Sequence, residues 1–239
     1  MPIPARFPNG ITNAAKASTL WAFGSMDPTK YHVWFDDFDN FEADQWVITR
    51  VGVTPTETAV SADGGRLLLT MAATDDSSSS LQWSGDDAAG VIETFKFQVG
   101  KEMWLKSRFQ VSDVLQSDFV MGLQITDTTP LAVTDGVYFR KDDGDSDLDF
   151  VVIKDSVATT TTIAGALANA TDVTLGFYYN GKSGSAGAIE IYVNDVKRGT
   201  SVVTNLVDDE ELAISFHMQN GEAVAKTMSI DYIFAAKAR

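Results

Sequence analysis

From Tyr31 to the end of the chain, apolar and polar positions alternate with a period of two. Met103, Leu105, Phe109 and Val111 interleave with Trp104, Lys106, Arg108 and Gln110, and Phe119, Met121, Leu123 and Ile125 repeat the pattern. Val173, Leu175, Phe177 and Tyr179 form another set, as do Ile189, Ile191 and Val193. Leu212, Ile214, Phe216 and Met218 follow, and Met228, Ile230, Tyr232 and Phe234 come last. Successive Cβ atoms of an extended chain point to opposite sides, so each set predicts a strand with one buried face. No window of similar length keeps the 3.6-residue period of an amphipathic helix. The pattern predicts an all-β chain.

Turn chemistry agrees with the strand pattern. Asn180-Gly181 and Asn220-Gly221 tolerate positive φ, and Asn194-Asp195 sits between Ile189–Val193 and Val196–Gly199 as a tight hairpin requires. Asp63-Gly64-Gly65 stands before the Leu67–Thr70 run in the same way. Roughly a dozen strands so spaced predict two packed antiparallel sheets. The polar runs Ser77–Ser80 and Thr159–Thr162 are expected to be loop tips or edge strands.

The first thirty residues break the period. Pro2, Pro4, Pro8 and Pro28, with Asn9-Gly10, interrupt any regular element. Phe7, Ile11, Leu20, Trp21 and Phe23 nevertheless make the segment too apolar for a free spacer. The expected organisation is an N-terminal arm over residues 1–30 and one β-sandwich domain over residues 31–239. The arm has two readings: it folds back on its own domain, or its five large apolar residues grip a partner.

Composition narrows the function classes. At 239 residues with 44% hydrophobic and 21% charged positions, the chain can bury a core of its own. The net charge is −15, carried by the body, since Arg6, Lys16 and Lys30 outnumber Asp27 within the arm. An acidic body repels phosphate backbones, so nucleic acid is not an expected partner. No apolar run is long enough to span a bilayer, and Met1 to Gly10 lacks the pattern of a secretory signal, so neither membrane nor secretion is expected. The absence of cysteine removes disulfides, thiolate metal sites and cysteine nucleophiles.

Few residues suggest chemistry. Asp142, Asp143, Asp145, Asp147 and Asp149 are the densest acidic cluster, and carboxylates beside Gly144 are what calcium requires of a loop. Asp143, Asp145 and Asp147 are the candidate ligands, with calcium the one cofactor considered. The alternative is that Asp145, Asp147 and Asp149 form the solvent face of a strand whose other side is Leu148 and Phe150. Glu42-Ala43-Asp44 lacks the third acid of a Glu-x-Asp-x-x-Glu glycosidase strand, and no Gly-x-Ser-x-Gly elbow exists. No catalytic residue is assigned, and the chain is expected not to be an enzyme. Trp104 lies on the Lys106/Arg108 side of its strand, so it is a candidate exposed anchor, while most other tryptophans are expected in core or interface.

Several segments resemble concanavalin-like (laminin-G-like) jelly rolls. These are Phe35-Asp36-Asp37-Phe38 followed by Trp46, Gly65-Arg66-Leu67-Leu68-Leu69-Thr70, the hairpin from Ile189 to Lys197, and the closing Ser229-Ile230-Asp231-Tyr232-Ile233. A second resemblance is to virion proteins of tailed bacteriophages. It is carried by Arg6 to Asn13, Asp27 to Val33, Gln116-Ser117-Asp118, Gly122 to Pro130, Asp135 to Asp145 and Asp208 to Leu212. It implies a structural protein, a head-decoration or cement subunit that binds the major capsid protein and copies of itself. Its place would be the capsid exterior of the virion, after synthesis in the host cytoplasm. The alternative is a lectin-like module that binds a glycan on the host surface.

Overall fold

The computed structural model describes residues 30–53, 55–62, 64–85 and 92–239. The first sheet is built from β1 (Tyr31–Asp36), β3 (Thr56–Val60), β4 (Arg66–Thr70), β6 (Met103–Val111), β11 (Val173–Tyr179), β12 (Ile189–Val193), β13 (Val196–Ser201) and β15 (Thr227–Ala238). The second holds β2 (Trp46–Val51), β5 (Ser78–Trp83), β7 (Ser117–Gln124), β8 (Gly136–Lys141), β9 (Leu148–Lys154), β10 (Val157–Ile163) and β14 (Ala213–Asn220). The orders are β13-β12-β11-β6-β15-β4-β3, with β1 also paired to β15, and β10-β9-β8-β7-β14-β5-β2. Helix is confined, among the described residues, to three short 3-10 turns. The all-β, two-sheet sandwich expected from the alternation is the fold.

The alternating apolar residues meet between the sheets. Leu105, Phe109, Leu175, Phe177, Ile189 and Ile191 of the first sheet are buried against Phe119, Met121, Phe139, Phe150, Ile214 and Phe216 of the second. Phe109 meets Phe119 edge-on at 5.3 Å, and Phe177 meets Phe150 at 5.6 Å. At one end Trp34 packs on Trp83 at 4.7 Å and on Trp46 at 5.8 Å, tying β1 to the opposite sheet. Each large aromatic removed from water contributes about 2–3 kcal/mol before ordering costs, so this seam holds the layers together.

The turns follow the residues that permit them. Asn194 and Asp195 take φ of 50° and 63°, closing the β12–β13 hairpin. Asn180-Gly181 instead opens a longer connection, in which the Asn180 side chain accepts from the N–H of Lys182 and of Ala188, both at 3.1 Å. Thr159–Thr162 lies in β10, at the edge of its sheet, as one of the two expectations had it. Ser78–Ser80 does not: it begins β5, a buried strand between β14 and β2. Residues 125–135 fold over the outer side of the second sheet, where Val133 joins Val120, Tyr138 and Val151 in a second apolar cluster.

Candidate functional site

The outer face of the first sheet carries a concave site lined by aromatic side chains. Because Met103, Leu105 and Phe109 point inward, Trp104, Lys106 and Arg108 point outward from β6. The same alternation turns Thr174, Gly176 and Tyr178 outward on β11, and Glu190 and Tyr192 outward on β12. Register aligns Tyr192, Gly176, Lys106 and Phe234 in one row across four strands. Tyr178 and Trp104 stand in the next row, ring centroids 5.4 Å apart and nearly parallel. Gly176 has no side chain, so the row is open at its centre. The result is a groove of about 420 Å³ walled by Trp104, Tyr178, Tyr192 and Phe234. That size lies within the usual range of small-molecule sites, about 300–1,000 Å³.

Gly176 is fixed by contact as well as by the groove. A Cβ there would lie 2.8 Å from the carbonyl oxygen of Leu105. The rim is polar and paired. The Tyr178 hydroxyl donates to Glu102 at 2.5 Å, which pushes its own pKa up to about 12. Glu190 accepts from the Tyr192 hydroxyl at 2.5 Å and from Lys197 at 2.6 Å, and the Lys197 contact is the larger cause of its lowered pKa. Lys106 pairs with Asp195 at 2.5 Å. The groove therefore offers aromatic faces flanked by fixed donors and acceptors. Trp104 is half-buried here, on the side its alternation predicts.

A second polar constellation lies on the outer face of the second sheet, and it is buried. Ser80 Oγ and His217 Nδ1 are 2.8 Å apart, while Gln82 Nε2 donates to Ser215 Oγ at 3.1 Å and to the carbonyl of Ile125 at 3.0 Å. Burial holds the His217 imidazole neutral, its pKa pushed down to about 4. Its Nε2 is buried without a hydrogen-bond partner among the described residues. Neither histidine gave a functional signal in the sequence, because each sits singly within an ordinary strand pattern.

The structure does not gather the acidic cluster into a metal cage. Asp143 and Asp145 are exposed in the β8–β9 connection. The Asp143 N–H donates to Asp118, and the Asp147 N–H donates to Asp145 Oδ1 at 3.0 Å. Among the described residues no three His, Cys, Asp or Glu side chains converge so as to hold a metal ion. Asp149, on β9, accepts from the Thr162 hydroxyl of the neighbouring strand. The arm candidates Phe7, Ile11, Leu20, Trp21 and Phe23 lie outside the described residues.

No protein-family model matches the sequence, and no curated protein matches it. Solved structures do share the fold. SCLam, a non-specific endo-β-1,3(4)-glucanase of family GH16, superposes with a TM-score of 0.61 at 11% identity, over 89% of this chain and 93% of its own. The potassium-bound carbohydrate recognition domain of Emp46p gives 0.57 at 10% identity, over 83% and 93%. The endo-β-1,4-glucuronan lyase of the fungus Trichoderma reesei gives 0.55 at 12% identity, over 85% and 94%.

At such identities these likenesses define the fold: a concanavalin-like jelly roll, the class the sequence motifs imply. They also correct an expectation. The chain was expected not to be an enzyme, yet the same architecture carries a lyase and a glucanase. Enzymes and non-enzymes share it because function lives in the site placed on the fold, so a missing glycosidase motif does not exclude catalysis. None of these three structures is a virion protein, and the virion resemblance rests on the sequence segments alone.

Proposed function

We propose that the chain binds carbohydrate, through the groove over Gly176. The observation that carries this is the wall formed by Trp104, Tyr178 and Tyr192 beside a side-chain-free floor. The apolar C–H face of a pyranose lies favourably on the electron-rich face of an aromatic ring. The hydroxyl groups of the sugar then meet Glu102, Glu190, Lys106 and Asp195 at the rim. Carbohydrate recognition and carbohydrate-active enzymes among the fold neighbours fit this class of ligand.

The test is titration calorimetry of the full chain against ligands chosen from a glycan array, with Trp104→Ala and Tyr192→Ala alongside. Burying a large apolar side chain against a ligand contributes about 1.5–3 kcal/mol, so Trp104→Ala should weaken binding on the order of tenfold or more. Arrays blank at every glycan would reject the proposal, as would a Trp104→Ala variant of unchanged affinity. Reducing ends or unsaturated products released from a bound glycan would extend it from binding to turnover.

The sequence resemblance to tailed-phage virion proteins, which includes the arm, supports a place for this module on the capsid exterior. There it would contact the major capsid protein and copies of itself through Phe7, Ile11, Leu20, Trp21 and Phe23. Co-sedimentation with undecorated capsids tests this: the full chain should bind in proportion to capsid subunits, and Trp21→Ala/Phe23→Ala should reduce that binding. Absence of co-sedimentation would remove the virion placement and leave the groove proposal standing.

A further inference from the structure

The chain is strongly acidic, yet one end of the sandwich is basic. A cavity of about 370 Å³ opens there, lined by His32, Thr94, Gln98, Lys101, Lys237 and Arg239, with Ala238. Pairing explains how the residues meet. His32 of β1 faces Lys237 of β15 in register, and residues 92–101 run past the same end with Lys101 at their close. Lys96, on that segment, is held by Glu211 at 3.3 Å and by the carbonyl of Asp209 at 2.7 Å.

The other cations differ from Lys96, and from those around the aromatic groove. Lys106 and Lys197 each have a carboxylate at 2.5–2.6 Å. Lys101 and Lys237 are half-buried, and among the described residues neither ammonium has a hydrogen-bond or ion-pair partner. His32 Nε2 is buried and likewise without a partner among them. Buried polar atoms in folded proteins are nearly always satisfied, so such a nitrogen beside a cavity marks a place for a hydrogen-bond partner, which is an acceptor once the ring is protonated. Electrostatics agrees with the geometry. Burial is the largest cause of the lowered Lys237 pKa; Glu211 opposes it, and Lys101 and Lys96 add to it. Burial likewise lowers the His32 pKa, with Arg239 and Lys237 adding to it. The cations are close enough to repel one another, and an anion between them would relieve that repulsion.

We propose that this cavity is a binding site for a small tetrahedral oxyanion, the sulfate or phosphate group, held by Lys101, Lys237 and His32. The overall negative charge does not forbid it, because at 0.1 M salt a charge acts over about 10 Å and the nearest groups set the local potential. The group could arrive as the free ion or as an ester on a sugar. The site is separate from the groove over Gly176 and does not depend on what that groove binds.

The test uses the fact that the chain has two histidines. His217, on the opposite sheet, is an internal control for the imidazole spectrum. The full chain is titrated with inorganic sulfate, inorganic phosphate and glucose 6-sulfate, against chloride at matched ionic strength. The long-range imidazole 1H–15N spectrum is followed throughout. The expected result is a saturable shift of His32, no shift of His217, and a rise of the His32 pKa at saturation. Lys101→Gln and Lys237→Gln should each weaken binding on the order of tenfold, the worth of one charge-assisted hydrogen bond, with circular dichroism confirming the fold. Tighter binding of the sugar sulfate than of both inorganic ions would identify the ester as the source; equal affinity would identify the free ion. A His32 response no larger than that to chloride would overturn the proposal, as would affinities unchanged in both lysine variants.

Discussion

Arg66 grips Asp172 across 106 residues of chain, with Nη1 to Oδ1 at 2.9 Å and Nη2 to Oδ2 at 2.7 Å. Arg108 adds a contact to the same carboxylate at 2.8 Å and another to Asp231 at 3.0 Å, so β4, β6, β15 and the entry to β11 share one network. A bulge between Ile230 and Tyr232 leaves Asp231 on the outer face to complete it. The hydrogen bond from Arg66 is the largest cause of the lowered Asp172 pKa. A carboxyl that titrates lower in the folded chain adds stability above its unfolded pKa of about 3.9, and loses it as pH falls through the folded value. Asp172→Asn should therefore cost about 1–3 kcal/mol at pH 7. It should also flatten the decline of stability below about pH 5. Urea denaturation of both proteins from neutral to acid pH checks this; parallel curves would show that Asp172 titration adds nothing to the acid decline, and coincident curves that the pair contributes nothing.

Arg50 and Glu57 make the corresponding tie at the edge where β2 of one sheet meets β3 of the other. Arg50 Nε lies 3.0 and 3.1 Å from the two carboxylate oxygens, and the Ser79 hydroxyl donates to Oε1. The two side chains are 43% and 1% exposed, so the arginine can rehydrate when its partner is lost and the carboxylate cannot. Arg50→Ala should thus destabilise by about 2–3 kcal/mol, more than Glu57→Gln, which keeps an acceptor for Ser79 at a cost of about 1 kcal/mol. Equal midpoint shifts in chemical denaturation would contradict this asymmetry.

Gly122 and Gly144 predict costs of different size and cause for the same substitution. In β7, a Cβ on Gly122 would fall 2.5 Å from Cα and Cβ of Tyr138, on the strand paired beside it. Backbone cannot move aside cheaply in a central strand, so Gly122→Ala should cost about 3 kcal/mol or more. Gly144 has open space around it but a φ of 72°. There alanine meets only the left-handed penalty, about 1 kcal/mol. Thermal unfolding of the two variants separates steric from conformational cost.

The alternation of Met103–Val111, Val173–Tyr179 and Ile189–Val193 was enough to read the fold, because each strand announces its own buried face. It also placed Trp104 outside. It could not reveal the groove, since that depends on Gly176 lying beside both Tyr192 and Lys106, a register set by strands far apart in sequence. Ser77–Ser80 was misread for a related reason. Four hydroxyls carry no apolar period, yet Ser79 is buried against Glu57 and Ser80 against His217. The aspartates from Asp142 to Asp149 were legible as a cluster only in composition; the chain directs them to separate hydrogen bonds.

His217 carries the clearest pH prediction. The ring is buried beside Ser80, and burial pushes its pKa from 6.5 to about 4. In that interval the unfolded chain binds a proton that the folded chain excludes. Stability is therefore fully present above about pH 6.5 and declines as pH falls toward 4. One pKa unit corresponds to about 1.4 kcal/mol, so this group alone should remove roughly 2 kcal/mol by pH 5. His32 titrates in the same direction, since burial lowers its pKa too. The comparison must then be with a His217→Gln variant, whose amide can still meet Ser80 but gains no charge. At pH 7 the variant should be the less stable protein, by about 1 kcal/mol for the altered packing and hydrogen bond. By pH 5 the gap should close or reverse, because only the wild-type chain gains from unfolding to protonate position 217. Denaturation midpoints measured at half-unit intervals between these limits decide the matter. A constant gap between the two proteins would mean that His217 takes up its proton without leaving the fold.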